Sequence, residues 1–238
     1  MILSGSGLNL TQQVAHFLGK AIISGEYGKH NPVPSEADLC KQLDVSRSAA
    51  REAVKSLAAK GLLTSRARQG IRVRPEQDWN LFDADVLGWI RESNPSLELL
   101  REFTELRLAV EPEAAHLAAR HQEVAAIETI AAALERMRRA ETGLEDPLEA
   151  DIDFHTSIMT ASGNRFFGQL GRITDTTLRV SIRYTNRLKG VQAADYDEHR
   201  AIYQAIASGD DIAAKRTTER LVDEALRLIN AALLTDSN

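Results

Sequence analysis

Ser35 and Ser46 stand eleven residues apart, each where a helix can begin, so the segment between them has room for one short helix. The Ser35 hydroxyl can accept a first-turn amide, and Glu36 and Asp38 suit the positive end of the helix dipole. Leu43-Asp44-Val45 reads as a turn, and Ser46 as a second cap. From there a helix runs to about Lys60, burying Ala50, Val54 and Leu57 and stopping at Gly61. Upstream, Leu10, Val14, Phe17, Leu18, Ala21 and Ile22 recur at helical spacing over 10–24, and Gly25 with Gly28–Pro32 ends that helix in a loop. Three helices with a tight turn before the last make a helix-turn-helix. Leu62–Ser65 and Ile71–Arg74 are short, partly alternating runs joined by Arg66–Gly70, which predicts a two-stranded wing.

Charge agrees with this arrangement. Residues 1–76 carry 11 Lys or Arg against 6 Asp or Glu, whereas the remainder carries 18 against 28. A basic N-terminal third on an acidic body points to one part that meets a polyanion. In a helix-turn-helix the second helix enters the major groove with its N-terminal residues at the base edges. That places Arg47, Ser48 and Arg51 for readout, since arginine pairs bidentately with guanine. Lys55, one turn further on, suits a phosphate or solvent, and Arg66, Arg68 and Arg72 suit phosphate or the minor groove. Gly70 permits close backbone approach. The expected partner is double-stranded operator DNA, read by a homodimer whose twofold symmetry matches a palindrome.

The stretch Pro34-Ser35-Glu36-Ala37-Asp38-Leu39, then Val45-Ser46-Arg47-Ser48-Ala49-Ala50-Arg51-Glu52-Ala53-Val54, then Gly61-Leu62-Leu63 and Gly70-Ile71-Arg72-Val73, resembles the DNA-binding domain of the GntR family. The resemblance implies operator contacts at Arg47, Arg51 and Gly70. Many members of the family have a DNA-contacting arginine where this chain has Ala37, so one contact is missing or supplied by the wing arginines.

Pro75-Glu76-Gln77-Asp78 is a polar break. The expected organisation is a winged helix-turn-helix over 1–76, a linker and first helix over 77–94, and a helical effector-binding and dimerisation domain over 95–238. The fold class is mainly α: the winged domain plus an all-α antiparallel bundle. Helices are expected at about 83–92, 96–119, 123–140, 146–162, 164–187, 195–208 and 210–233, with breaks at Gly143, Gly163-Asn164, Gly190 and Gly209-Asp210. Aromatic content of 5% fits an Ala/Leu-rich bundle. No apolar run approaches the roughly 18–20 residues of a membrane span, and the first residues lack the pattern of a secretory signal. One cysteine, Cys40, excludes an intramolecular disulfide and a Cys-rich zinc site. These features place the chain in the cytoplasm.

In Asp151-Ile152-Asp153-Phe154-His155, residues four apart share a helix face, so Asp151 and His155 can address one ligand. Carboxylate with imidazole suits a divalent transition metal, but the pair by itself reads first as a salt-bridged helix face. Glu105-Leu106-Arg107-Leu108-Ala109-Val110-Glu111-Pro112, Ala150–His155 with Gly163-Asn164, and Glu198-His199-Arg200-Ala201-Ile202 with Gly209-Asp210 follow one another in an order similar to the helical ligand-binding (FCD-type) domain of the FadR subfamily. That resemblance implies a metal such as zinc on Asp151, His155 and His199, with Arg107 as partner to an effector carboxylate. The subfamily's further histidine falls 22 residues after His199, at Leu221, which cannot ligate. Either metal is held by three protein ligands, or the polar residues take the effector directly. His116 and His121 lie off the pattern.

Trp79-Asn80 and Asp83-Ala84-Asp85-Val86-Leu87-Gly88-Trp89 look like the linker of galactonate-responsive regulators in the subfamily. A sugar acid would suit Arg107 with a polar pocket including Asn164, Arg183, Tyr184 and Asn186. Trp79 and Trp89 are expected to pack the linker and its helix onto the bundle. The alternative from another class is a metal-dependent enzyme on Asp151, His155 and His199 with an open coordination position. It has no motif-placed general base and leaves the winged domain unexplained.

Overall fold

Both serines cap as their spacing requires in the computed structural model, which describes residues 7–66, 70–93, 95–190 and 194–236. The Ser35 hydroxyl accepts the Asp38 amide at the start of α2 (Glu36–Leu43), and the Ser46 hydroxyl accepts the Ala49 amide at the start of α3 (Arg47–Ala59). Asp44 ends α2 in the left-handed conformation, with φ 53°, and this turns the chain sharply into α3. The first helix, α1 (Leu10–Ile23), packs on α3. Leu18, Leu39, Ala50, Val54 and Leu57 form the apolar contact beneath the pair. The wing follows as β1 (Leu63–Arg66) and β2 (Gly70–Val73), antiparallel, with Leu63 opposite Val73 and Arg66 opposite Gly70.

The chain forms two compact units, Met1–Pro95 and Ser96–Asn238. The first includes α4 (Ala84–Glu92), and its side chains explain why. Gly61, at φ 80°, lets the chain leaving the wing pass against the end of α3: a Cβ there would lie 2.3 Å from the Asp78 carbonyl oxygen. The Lys60 ammonium then donates to both carboxylate oxygens of Asp83, at 2.8 Å each, and lies 2.8 Å from Asp85. Trp89 is 3% exposed and fills a notch at Gly19, where a Cβ would meet its ring at 2.5 Å. Its indole N–H donates to His16 Nδ1 at 2.9 Å, and Glu92 pairs with Lys20. The Trp79 indole N–H donates to the Arg74 carbonyl. Both tryptophans, expected against the bundle, therefore pack within the first unit. The cause is Gly19, whose missing side chain makes room on α1 for an indole.

The second unit consists of α5 (Leu97–His121), α6 (Val124–Ala140), α7 (Pro147–Ala161), α8 (Arg165–Lys189), α9 (Tyr196–Ala207) and α10 (Asp211–Asp236). Every expected helix is present, with ends shifted by no more than a few residues. Asp146 caps α7 with Pro147 in its first turn, where the lost N–H costs least. Four alanines of α5, Ala114, Ala115, Ala118 and Ala119, are buried and admit the large side chains of the core. These are Ile130 and Leu134 of α6, Phe154, Ile158 and Met159 of α7, and Ile202 and Ile206 of α9. Ile152 packs separately with Leu178 and Ile182 of α8. Among the described residues no helix is long and apolar enough to cross a membrane.

Candidate functional site

Two groups of residues are candidates for function, one in each unit. On α3 the small residues Ala49, Ala50 and Ala53 with Val54 and Leu57 face inward. The same periodicity leaves Arg47, Ser48, Arg51 and Lys55 exposed on the opposite face. Arg51 is 62% exposed, and its Nε lies 3.4 Å from Glu36 on α2. Lys55 pairs at 2.8 Å with Glu52, so its charge is partly countered on the same face. Arg66 is exposed at the end of β1, and Gly70 opens β2 at φ 75° with nothing near it. Arg68 lies outside the described residues. Ala37 is exposed in the first turn of α2 and supplies no donor there.

The second site is interior. Asp151, His155 and His199 are each no more than 4% exposed. One ligand atom of each lies within 4.8 Å of the others, although 44 residues separate His155 from His199. Helix α7 presents Asp151 and His155 from adjacent turns, and α9 brings His199 across. Asp151 Oδ1 is 3.2 Å from His155 Nε2 and 3.3 Å from His199 Nε2. Neither contact has hydrogen-bond geometry, and Asp151 Oδ1 and His199 Nε2 are buried without a hydrogen-bond partner. His199 Nδ1 lies 2.7 Å from the Asp195 carbonyl, which can only accept, so that nitrogen carries a proton and Nε2 is the ring nitrogen turned to Asp151. The Phe154 ring stands edge-on to both imidazoles, with centroids 5.1 Å from His199 and 5.9 Å from His155.

Behind the cluster is a residue to which the sequence reading assigned no role. Glu111 of α5, 2% exposed, accepts from Arg107 Nε at 2.6 Å and Nη2 at 3.3 Å, and its Oε2 lies 2.8 Å from His155 Nδ1. Burial opposes ionisation of Glu111, but the charges of Arg107 and His155 outweigh it and hold the carboxyl down at about 2. Burial likewise opposes the charged form of His155, and the Glu111 and Asp151 carboxylates push it up to about 9. Asp151, buried as deeply, is held well below the usual carboxylate range by the two imidazoles it faces. The Arg107-to-Glu111 spacing of four residues was a visible signal. The contact with His155 was not, because it joins two helices.

The other expected effector residues lie apart from these contacts. Asn164 begins α8, where its Oδ1 accepts the Phe166 amide. Arg183 is on α8 with its side chain outside the described residues, and Tyr184 and Asn186 are half-buried there. Leu221 of α10 packs against the apolar core, so the fourth ligand position is taken up by packing. His116 lies 3.3 Å from the Asp211 carbonyl, and His121 stands over Gly163. The donor set fits a divalent transition metal: one carboxylate oxygen and two imidazole nitrogens converge, two of them orphaned. Three donors leave coordination positions for water or a ligand.

A winged helix-turn-helix with an exposed basic recognition face, in a chain whose second unit is a helical domain with a buried polar cluster, defines a DNA-binding transcription regulator. Residues 10–73 match the model of the bacterial regulatory proteins of the gntR family, and residues 102–224 match that of the FCD domain. The chain belongs to the GntR family, with an FCD domain at its C-terminal side. It is 31% identical over 223 residues to the galactonate operon transcriptional repressor of Escherichia coli K12, covering 92% of this chain and 96% of that protein. It is 32% identical over 221 residues to the HTH-type transcriptional regulator YieP of the same organism, covering 90% and 93%. The solved structure of a Streptococcus agalactiae GntR protein aligns at a TM-score of 0.50 with 25% identity, over 91% of this chain and 99% of that one. The family is one of regulators, which sets aside the metal-dependent enzyme.

Proposed function

We propose that this protein is a transcriptional repressor whose dimer holds a palindromic operator through α3 and the wing, and whose helical domain releases it on binding a small carboxylate. The observation that carries the sensing half is the convergence of Asp151, His155 and His199 inside a chain whose other unit exposes Arg47, Ser48 and Arg51. These three residues would hold a divalent cation, which when bound supplies a Lewis-acidic centre for an anionic ligand. The chain's own part is electrostatic. Arg107 is the cation nearest Glu111, and a ligand carboxylate would share its guanidinium. Phe154, fully buried, packs edge-on against both imidazoles. A sugar acid is the favoured effector class, because the galactonate repressor is similar along almost the whole of both chains.

Regulation requires the effector to bind the DNA-free arrangement more tightly than the DNA-bound one, since equal affinities shift nothing. The test uses an operator selected by the protein itself from random duplexes. Fluorescence anisotropy is then followed while zinc, galactonate and other aldonates are added. A tenfold or greater loss of operator affinity with at least one acid supports the reading. Unchanged affinity across the whole set rejects effector control and leaves a constitutive DNA binder.

A further inference from the structure

We infer that Glu111 is a positioning residue for a divalent cation at the Asp151, His155 and His199 cluster, holding His155 through Nδ1 so that its Nε2 faces the other two donors. The inference rests on the cation reading proposed above. It begins from an asymmetry between the two imidazoles. The Asp195 carbonyl of its own helix orients His199, whereas His155 is oriented by a carboxylate from α5, at 2.8 Å from Nδ1. A carboxylate accepts and does not donate when ionised, so Nδ1 of His155 must carry a proton. The only nitrogen left to serve the cluster is Nε2, which lies 3.2 Å from Asp151 Oδ1.

An arginine–glutamate pair on one helix would explain Arg107 and Glu111 by itself if it lay at the surface, but both residues are at most 6% exposed. Desolvating two charges costs more than a pair four residues apart on a helix returns. The third partner, His155 on α7, gives the buried pair a use. Both oxygens of Glu111 are engaged, Oε1 by Arg107 and Oε2 by Arg107 and His155. Arg107 therefore fixes the carboxylate, the carboxylate fixes the imidazole, and the imidazole turns Nε2, the nitrogen a cation would take in place of a proton, to the other donors. Partners of this kind behind a metal-bound histidine set its tautomer and basicity.

The experiment measures zinc affinity of the full chain by competition with a chromophoric chelator, comparing wild type, Glu111→Gln and Asp151→Asn. The expected result is a roughly 10–100-fold weaker affinity for Glu111→Gln and near-complete loss for Asp151→Asn, with both variants melting cooperatively in excess chelator. Unchanged affinity in Glu111→Gln, with loss in Asp151→Asn, overturns the role of Glu111 and leaves the cation site standing. No zinc uptake by the wild type overturns both. A measurement on the wild type covers the case in which Glu111→Gln does not fold. In the zinc-loaded, 15N-labelled chain, His155 should show a protonated Nδ1 and a metal-bound Nε2, and the reverse assignment overturns the inference.

Discussion

At the residue scale, the buried set of Arg107, Glu111, Asp151, His155 and His199 gives the helical unit a definite response to pH. Glu111 is held down at about 2, against an ordinary value near 4.5, so its stabilisation is fully present above about pH 4.5 and is lost as pH falls toward 2. His155 is pushed up to about 9 from 6.5, so its contribution is complete below about 6.5 and fades as pH rises through 9. The metal-free chain should show its highest denaturant midpoint for this unit between those limits, with a decline on each side. The acid limb is worth on the order of 3 kcal/mol. Glu111→Gln should shrink it, leaving the part that Asp151 contributes, and urea unfolding at pH 3 to 6 with chelator present checks this. An acid limb unaltered by the substitution would assign it to other carboxylates.

At the element scale, α3 divides its work by face, and the two cations along it should behave differently. Arg51→Ala is expected to cost about 1–3 kcal/mol of operator binding and to relax preference at one base position. Lys55→Ala, already countered by Glu52, should weaken all sequences alike and lower the salt slope by about one. Competition between selected and scrambled duplexes at two salt concentrations separates the two outcomes. Helix ends were legible in the sequence because their signals are local: Ser35, Ser46 and Asp146 accept amides within their own first turns, and glycines mark the stops. All three residues of the buried cluster were named from the sequence, His199 only through the family resemblance. Asp151 and His155 share a face by spacing, but the approach of His199 depends on how α9 packs on α5 and α6. Glu111 and the Trp89 notch at Gly19 escaped for the same reason. Each is a contact between helices, and no period along one chain segment encodes it.

At the scale of the molecule, the chain is two compact units, 1–95 and 96–238, with the exposed basic face on the first and the buried Asp151, His155 and His199 cluster in the second. Zinc at 100 times its dissociation constant should raise the stability of the unit that holds it by about 2.7 kcal/mol and leave the other unmoved. Differential scanning calorimetry with and without chelator should therefore displace one transition only. The seat of Trp89 on α1 makes this readable by optical means. The chain has two tryptophans, Trp79 and Trp89, and both belong to the first unit, one over the wing's exit and the other beside His16. Indole emission is thus a built-in reporter of the DNA-reading half, needing no label. Far-ultraviolet dichroism, to which the six helices of the second unit contribute most, follows the other unit, so a change in one signal without the other on adding an acid would show which unit responds.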